Sequence, residues 1–158
     1  MRTLNLAKGG LNKIRGHQKE LKQADIEDSI KSLPPGEWCL FQHPTAAEGW
    51  VGFVNPLIED KYSCIHIVSS LKKDQFAAFS PEAFIIQKLT SAHQRRLHFK
   101  GYQEGARLFY GVSDGLPGLI IDTFLDKAII QINTAGVDRY RELIRKKTAE
   151  LVKGEAFL

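Results

Sequence analysis

The stretch Gly111 to Phe124, GVSDGLPGLIIDTF, restricts the fold more than any other part of the chain. Two turn dipeptides, Asp114-Gly115 and Pro117-Gly118, fall inside it. Glycine reaches positive φ without steric cost and proline pre-sets the φ of a turn's first corner, so the chain must reverse here. On either side lie runs rich in β-branched and aromatic residues, Arg107 to Val112 and Lys127 to Asn133. The local prediction is an antiparallel hairpin continuing into a third strand. Ser113 has no histidine near it in sequence and no nucleophile elbow around it. Ser113-Asp114-Gly115 therefore reads as turn capping, not as a hydrolase fragment.

Ahead of this hairpin the hydrophobic period changes twice. Leu4 to Lys8 reads as a short strand ending in a flexible Gly9-Gly10 turn. Leu11, Ile14, Leu21 and Ile26 give a helical pattern interrupted at Gly16, and Asp25 to Leu33 suits a second short helix stopped by Pro34-Pro35-Gly36. The pattern then becomes extended. Glu37 to Gln42, Trp50 to Val54 and Tyr62 to Val68 are strand candidates, and several short strands behind a basic helical segment predict a small, partly closed barrel.

After Lys72-Lys73-Asp74, Ser80 followed by Pro81 is a helix start, because the hydroxyl accepts from a free N–H and proline forfeits no intrahelical bond. Ile85, Ile86, Leu89, Ala92, His93 and Leu97 recur at spacings of three and four, which predicts one amphipathic helix over Ser80 to Phe99. Ala128 to Ile132 is apolar at nearly every position, as in a strand covered on both faces. A last helix spans Gly136 to Lys153 and stops at Gly154. The expected fold class is α+β: a small β-barrel over residues 1–75, then over residues 76–158 a helix, a three-stranded antiparallel meander and a C-terminal helix.

A hydrophobic content of 43% with 25% charged residues suits a folded domain rather than a disordered chain. The distribution of charge says more than the total of +4. Residues 1–24 carry Arg2, Lys8, Lys13, Arg15, Lys19 and Lys22 against Glu20 alone, residues 25–79 are net acidic, and residues 80–158 are net basic again. A local basic excess of this kind suits a polyanionic partner. Lys8, Lys13, Arg15, His17 and Lys19 are the first candidates for contacts to RNA phosphates, and Arg95, Arg96 and Lys100 the second. Trp50 or Tyr62 could stack on an unpaired base if exposed.

Cys39 and Cys64 lie in predicted strands among apolar residues, where cysteine behaves as a small hydrophobe, and neither is assigned a catalytic role. With His43 and His66 they could be imagined as a zinc set, but strand alternation and the strand end at His43 do not bring four ligands together, so no metal is expected. No apolar run approaches a membrane span, and Met1-Arg2-Thr3-Leu4 lacks the apolar core of a secretory signal, which predicts a cytoplasmic protein with no membrane partner.

DGLPGL followed by Ile120-Ile121-Asp122, the aromatic Phe124 and then QINTAGV closely resembles the middle segment of bacterial ribosomal-RNA methyltransferases that modify cytosine C5 with S-adenosylmethionine. The resemblance is strongest from Ala106 to Val137. Lys13 to His17 (KIRGH) and Gly36-Glu37 stand where that family has corresponding residues. It implies a PUA-like RNA-binding domain, a connecting domain holding the hairpin, and a Rossmann-like methyltransferase domain that this chain lacks. S-adenosylmethionine is then implied for the full-length protein only, and the nucleophilic cysteine belongs to the absent domain. Departures from the family stand at Gln18 to Leu21, where relatives carry a Pro-Trp-aliphatic-aromatic run, and at Val112 and Thr123, where relatives commonly carry an acid and an arginine. If the hairpin closes at Pro117-Gly118, those last two positions face each other, as replacement of a cross-strand ion pair would require.

The resemblance implies binding of ribosomal RNA and its presentation to the missing domain. A stand-alone RNA-binding or ribosome-associated module is the alternative, and a protein adaptor using the apolar hairpin sheet is a third class. Apolar surface exposed around Ile129 to Ile132 would favour a missing domain or a homodimer over the stand-alone reading.

Overall fold

A computed structural model describes residues 1–59, 61–99 and 104–158. The chain divides into two compact units, Met1–Phe79 and Ser80–Leu158.

The first unit runs β1 (Arg2–Asn5), α1 (Lys8–Arg15), β2 (Glu20–Leu21), a 3₁₀ turn at Gln23–Asp25, β3 (Glu37–Gln42), β4 (Glu48–Val54), β5 (Ile65–Lys72) and a second 3₁₀ turn at Lys73–Ala78. Its sheet has the order β1-β3-β4-β5-β2, with β1 parallel to β3 and the other pairs antiparallel. A register shift between Val51 and Gly52 adds local twist, and a bridge from Leu6 to Ile26 ties the β1 side to the segment after β2. The result is a curled half-barrel compatible with a PUA-like domain. Its core holds Leu4, Leu6, Leu21, Phe41, Trp50 and Ile65. All of β4 after Glu48 is buried, as a central strand in a curled sheet requires.

The two cysteines are buried as expected from their apolar neighbours. Other expectations for this unit are corrected. The first strand ends at Asn5, and Gly9-Gly10 belongs to the first turns of α1. Packing overrides glycine's turn preference at Gly10, where a Cβ would stand 2.1 Å from the Asp25 carbonyl oxygen. The segment Asp25 to Leu33 forms no α-helix. A 3₁₀ turn ends at Asp25, and Ile30 and Leu33 enter the core from turns.

The second unit begins with α2 (Pro81–Arg96), capped by Ser80, whose hydroxyl accepts from the Ala83 N–H at 3.2 Å. β6 (Ala106–Tyr110), α3 (Gly111–Asp114), β7 (Leu119–Phe124), β8 (Lys127–Ile132), α4 (Ala135–Asp138), α5 (Arg141–Val152) and β9 (Glu155–Phe157) follow. The sheet order is β6-β7-β8-β9, antiparallel except for the parallel β8–β9 pair. The expected three-strand meander is present with a fourth strand added at its edge. One helix was expected after β8, but it divides into α4 and α5.

The DGLPG stretch forms a short helix and a turn between β6 and β7, not a tight hairpin end. Gly118 has φ 87° and meets Thr134, whose hydroxyl donates to the Pro117 carbonyl at 2.8 Å, while the Asn133 N–H donates to the Gly118 carbonyl at 2.8 Å. The turn is therefore stapled to the segment leaving β8. Thr123 pairs with Ala106, is buried, and donates its hydroxyl to the Ala106 carbonyl at 3.0 Å. Val112 is exposed on α3, so the supposed Val112–Thr123 cross-strand pair does not exist. Nor is β8 covered on both faces: Ala128 and Ile130 are buried, whereas Ile129 and Gln131 are exposed.

Candidate nucleic-acid interface

Helical spacing sorts the basic residues of α1. Lys8, Asn12 and Arg15 are four and three residues apart, which sets them in one row, and all three are exposed. Lys13 projects from a different side. Its Nζ lies 2.8 Å from Asp25 Oδ2, and the Asp25 carboxylate also accepts from the Lys22 N–H at 2.9 Å. Asp25 is nearly fully buried, so Lys13 is held as its counter-charge while Gly10 lets α1 close onto the same turn.

α1 ends in paired carbonyl bonds. The His17 N–H donates to Ile14 and the Gln18 N–H to Lys13, both at 2.9 Å, with His17 in the left-handed region at φ 65°. His17 is exposed at this reversal, two residues after Arg15 in sequence. Lys19 is exposed too, and its carbonyl accepts from the Ile67 N–H at 2.7 Å, fastening the segment beside β5. Of the first candidate set, Lys8 and Arg15 share a surface row, His17 and Lys19 follow the helix end, and Lys13 is diverted to Asp25.

In the second unit Arg95 and Arg96 converge on Asp114. Arg95 Nη2 is 2.7 Å from Oδ1, and Arg96 reaches Oδ1 at 3.2 Å and Oδ2 at 2.7 Å through its two terminal nitrogens. The Tyr110 N–H donates to Oδ2 at 2.7 Å. Burial alone would push the Asp114 carboxyl up. The bonds from Arg96, Tyr110 and Arg95, with the Arg96 charge, outweigh it and hold the group below its ordinary range. Arg96 is largely enclosed by this arrangement, whereas Arg95 keeps about half of its side chain open. Lys100 lies outside the described residues.

Trp50 is buried and unavailable for stacking, whereas Tyr62 is exposed, with Lys61 Nζ 5.0 Å from its ring centroid. His66 packs against Phe53 with ring centroids 5.1 Å apart, and its Nδ1 is buried without a hydrogen-bond partner. Burial lowers its pKa, opposed by the charge of Glu20 across the β2–β5 pair. Among the described residues no three His, Cys, Asp or Glu side chains gather as a metal site. Sequence reasoning missed the anchoring roles of Asp25 and Asp114. Neither acid carries a local signal, because the partners stand 12 and 18 positions away and only the fold brings them together.

No protein-family profile matches the chain. It is 39% identical over 64 residues, 39% of its length, to the ribosomal RNA large subunit methyltransferase I of Yersinia pseudotuberculosis. It is 31% identical over 70 residues, 44% of its length, to a Methanocaldococcus jannaschii protein assigned as a ribosomal RNA large subunit methyltransferase. These matches span 16% and 18% of the two relatives. A solved Streptococcus mutans protein, assigned as an S-adenosylmethionine-dependent methyltransferase, superposes on 99% of this chain with a TM-score of 0.71 at 13% identity, using 40% of its own length. No helix among the described residues is long and apolar enough to cross a membrane. The chain thus has the fold of a portion of such a methyltransferase and is similar in sequence to enzymes of large-subunit ribosomal RNA.

Proposed function

We propose that this chain is the RNA-recognition portion of an S-adenosylmethionine-dependent ribosomal-RNA methyltransferase acting at cytosine C5 in the cytoplasm. In this reading a PUA-like domain over residues 1–75 grips structured RNA. Residues 76–158 connect it to a methyltransferase domain outside this chain, which binds the cofactor and supplies the nucleophile. The similarity to large-subunit ribosomal-RNA methyltransferases supports the substrate class. The cytosine C5 specificity rests on the DGLPGL and QINTAGV resemblance.

One observation carries the RNA contact: Lys8 and Arg15 stand in a row with Asn12 on α1, exposed and without a carboxylate partner among the described residues. A row of this kind meets successive phosphates and fixes orientation without reading sequence. His17 and Lys19 extend it, and the open part of Arg95 offers a second contact, whereas Lys13 and Arg96 act through the acids they neutralise. Filter retention of large-subunit ribosomal-RNA fragments against salt concentration tests the proposal. Salt-sensitive retention, weakened several-fold in the Lys8→Ala/Arg15→Ala double variant, is expected. Absence of retention even at low ionic strength would overturn it.

A further inference from the structure

Two guanidinium ions share one carboxylate at the turn that opens the DGLPG stretch. Arg96 takes both Asp114 oxygens and is largely enclosed, whereas Arg95 reaches Oδ1 alone through Nη2 at 2.7 Å and keeps 55% of its side chain exposed. These bonds and the Tyr110 N–H hold Asp114 in its ionised form, so the three side chains together carry a surplus of one positive charge. Among the described residues no other carboxylate is bonded to either arginine. The surplus sits on Arg95, whose Nε and Nη1 make no hydrogen bond among those residues.

A further cation is brought to the same turn. Lys88 precedes Arg95 on α2 by two helical turns, about 10 Å along the axis. Its side chain nevertheless ends over the residue after Asp114: a Cβ at Gly115 would lie 3.0 Å from Lys88 Nζ, 3.3 Å from Cε and 3.6 Å from Cδ. Gly115 has φ 86° and closes α3 in the left-handed conformation, its N–H donating to the Val112 carbonyl at 3.2 Å. Glycine adopts that conformation without strain, and its missing side chain leaves room for the ammonium group. Phe84, one turn before Lys88, steadies the same group, with Nζ 5.0 Å from its ring centroid.

Arginine and lysine are donors with no acceptor, so a ligand held by both is an anion. A guanidinium meets phosphate oxygens as a planar fork and an ammonium as a point charge, and the two together suit a phosphate group. Asp114 fixes where Arg95 stands before any ligand arrives, and Gly115 admits Lys88 to the neighbouring residue. We infer that Lys88 and Arg95 form a clamp for the phosphates of an RNA backbone at the Asp114–Gly115 turn, with Asp114 and Gly115 as its positioning residues. The inference rests on the RNA reading and adds to it a site on the second unit, separate in sequence from the α1 row.

Retention of a large-subunit ribosomal-RNA fragment by the full chain, measured at several salt concentrations, tests the clamp. The Lys88→Gln/Arg95→Gln double variant should lower the slope of log K against log salt by roughly 0.7–1.8, the share of one to two phosphates. Lys88→Gln alone leaves the Asp114 bonds in place and should still lower the slope. Arg95→Lys keeps the charge and should retain most of it. Far-ultraviolet dichroism of each variant should match the wild type. Retention that Lys8→Ala/Arg15→Ala weakens but Lys88→Gln/Arg95→Gln leaves unchanged overturns the clamp while the RNA reading stands. Absence of wild-type retention at low ionic strength overturns both. Movement of the Arg95 Nε–Hε resonance on adding inorganic phosphate, with equal RNA retention by wild type and double variant, assigns the clamp to a small phosphate ligand and overturns the RNA backbone as its occupant.

Discussion

Arg96 grips the Asp114 carboxylate with both of its terminal nitrogens, at 3.2 and 2.7 Å, and this fork joins the end of α2 to the turn that opens the DGLPG stretch. Arg95 binds the same carboxylate from a more open position. Removing the enclosed partner leaves a buried charge uncompensated, whereas removing the open one forfeits a solvent-screened contact. Arg96→Ala should therefore destabilise the protein by about 3 kcal/mol. Arg95→Ala should cost at most about 1 kcal/mol. Urea unfolding of the two variants separates them, and equal costs would contradict the assignment.

The same carboxylate gives an acid dependence. Its folded pKa lies below the ordinary value of 3.8, so the unfolded chain binds the proton more readily. The stabilisation is full above the unfolded pKa and is lost as pH falls through the folded one. Thermal melts between pH 6 and pH 2, roughly the range spanning carboxylate titration, should show a decline at the acidic end. Asp114→Asn should start less stable and decline less steeply.

Lys13 and its neighbours on α1 should separate stability from binding. Lys13→Ala uncovers buried Asp25 and should cost about 1–2 kcal/mol, moderated by the exposure of the lysine stem. Lys8→Ala and Arg15→Ala should leave the melting temperature near wild type and each reduce the slope of log K against log salt by about 0.7–0.9. Titrations of one ribosomal-RNA fragment at several salt concentrations, alongside melts of the same samples, check both halves.

A milder pH effect is expected from His66. Burial beside Phe53 lowers its pKa below 6.5, with Glu20 opposing, so the folded state holds fewer protons than the unfolded chain. Its contribution is intact above the unfolded value and diminishes as pH falls below it. His66→Leu should flatten the stability profile of the protein between about pH 7 and pH 5, the range in which histidine titrates. An unchanged slope in chemical denaturation across that range would show that His66 does not control it.

Local chemistry explains which parts of the fold were legible. Ser80-Pro81 announced α2, because a cap and a proline act within one turn of chain. The strand Glu37–Gln42 was bounded by Pro34-Pro35-Gly36 and by the polar His43-Pro44, and the structure gives the same limits. Local signals failed where a distant group intervened. Gly9-Gly10 reads as a turn until Asp25 is placed against Gly10, and Val112 reads as strand until α3 closes over the Asp114 cap. β9 is three residues long and exists because β8 offers it an edge, so no periodicity could reveal it.

By itself the sequence determined the α+β alternation, the clustering of positive charge towards the start and the DGLPGL turn, all consequences of bonding and sterics among near neighbours. Tertiary structure alone decided which cations remain open to a partner and which neutralise Asp25 and Asp114. It also decided that Ile129 faces outward while Ile130 is buried. Both outcomes depend on which side of a helix or sheet is covered, and that is fixed by contacts between residues far apart in the chain.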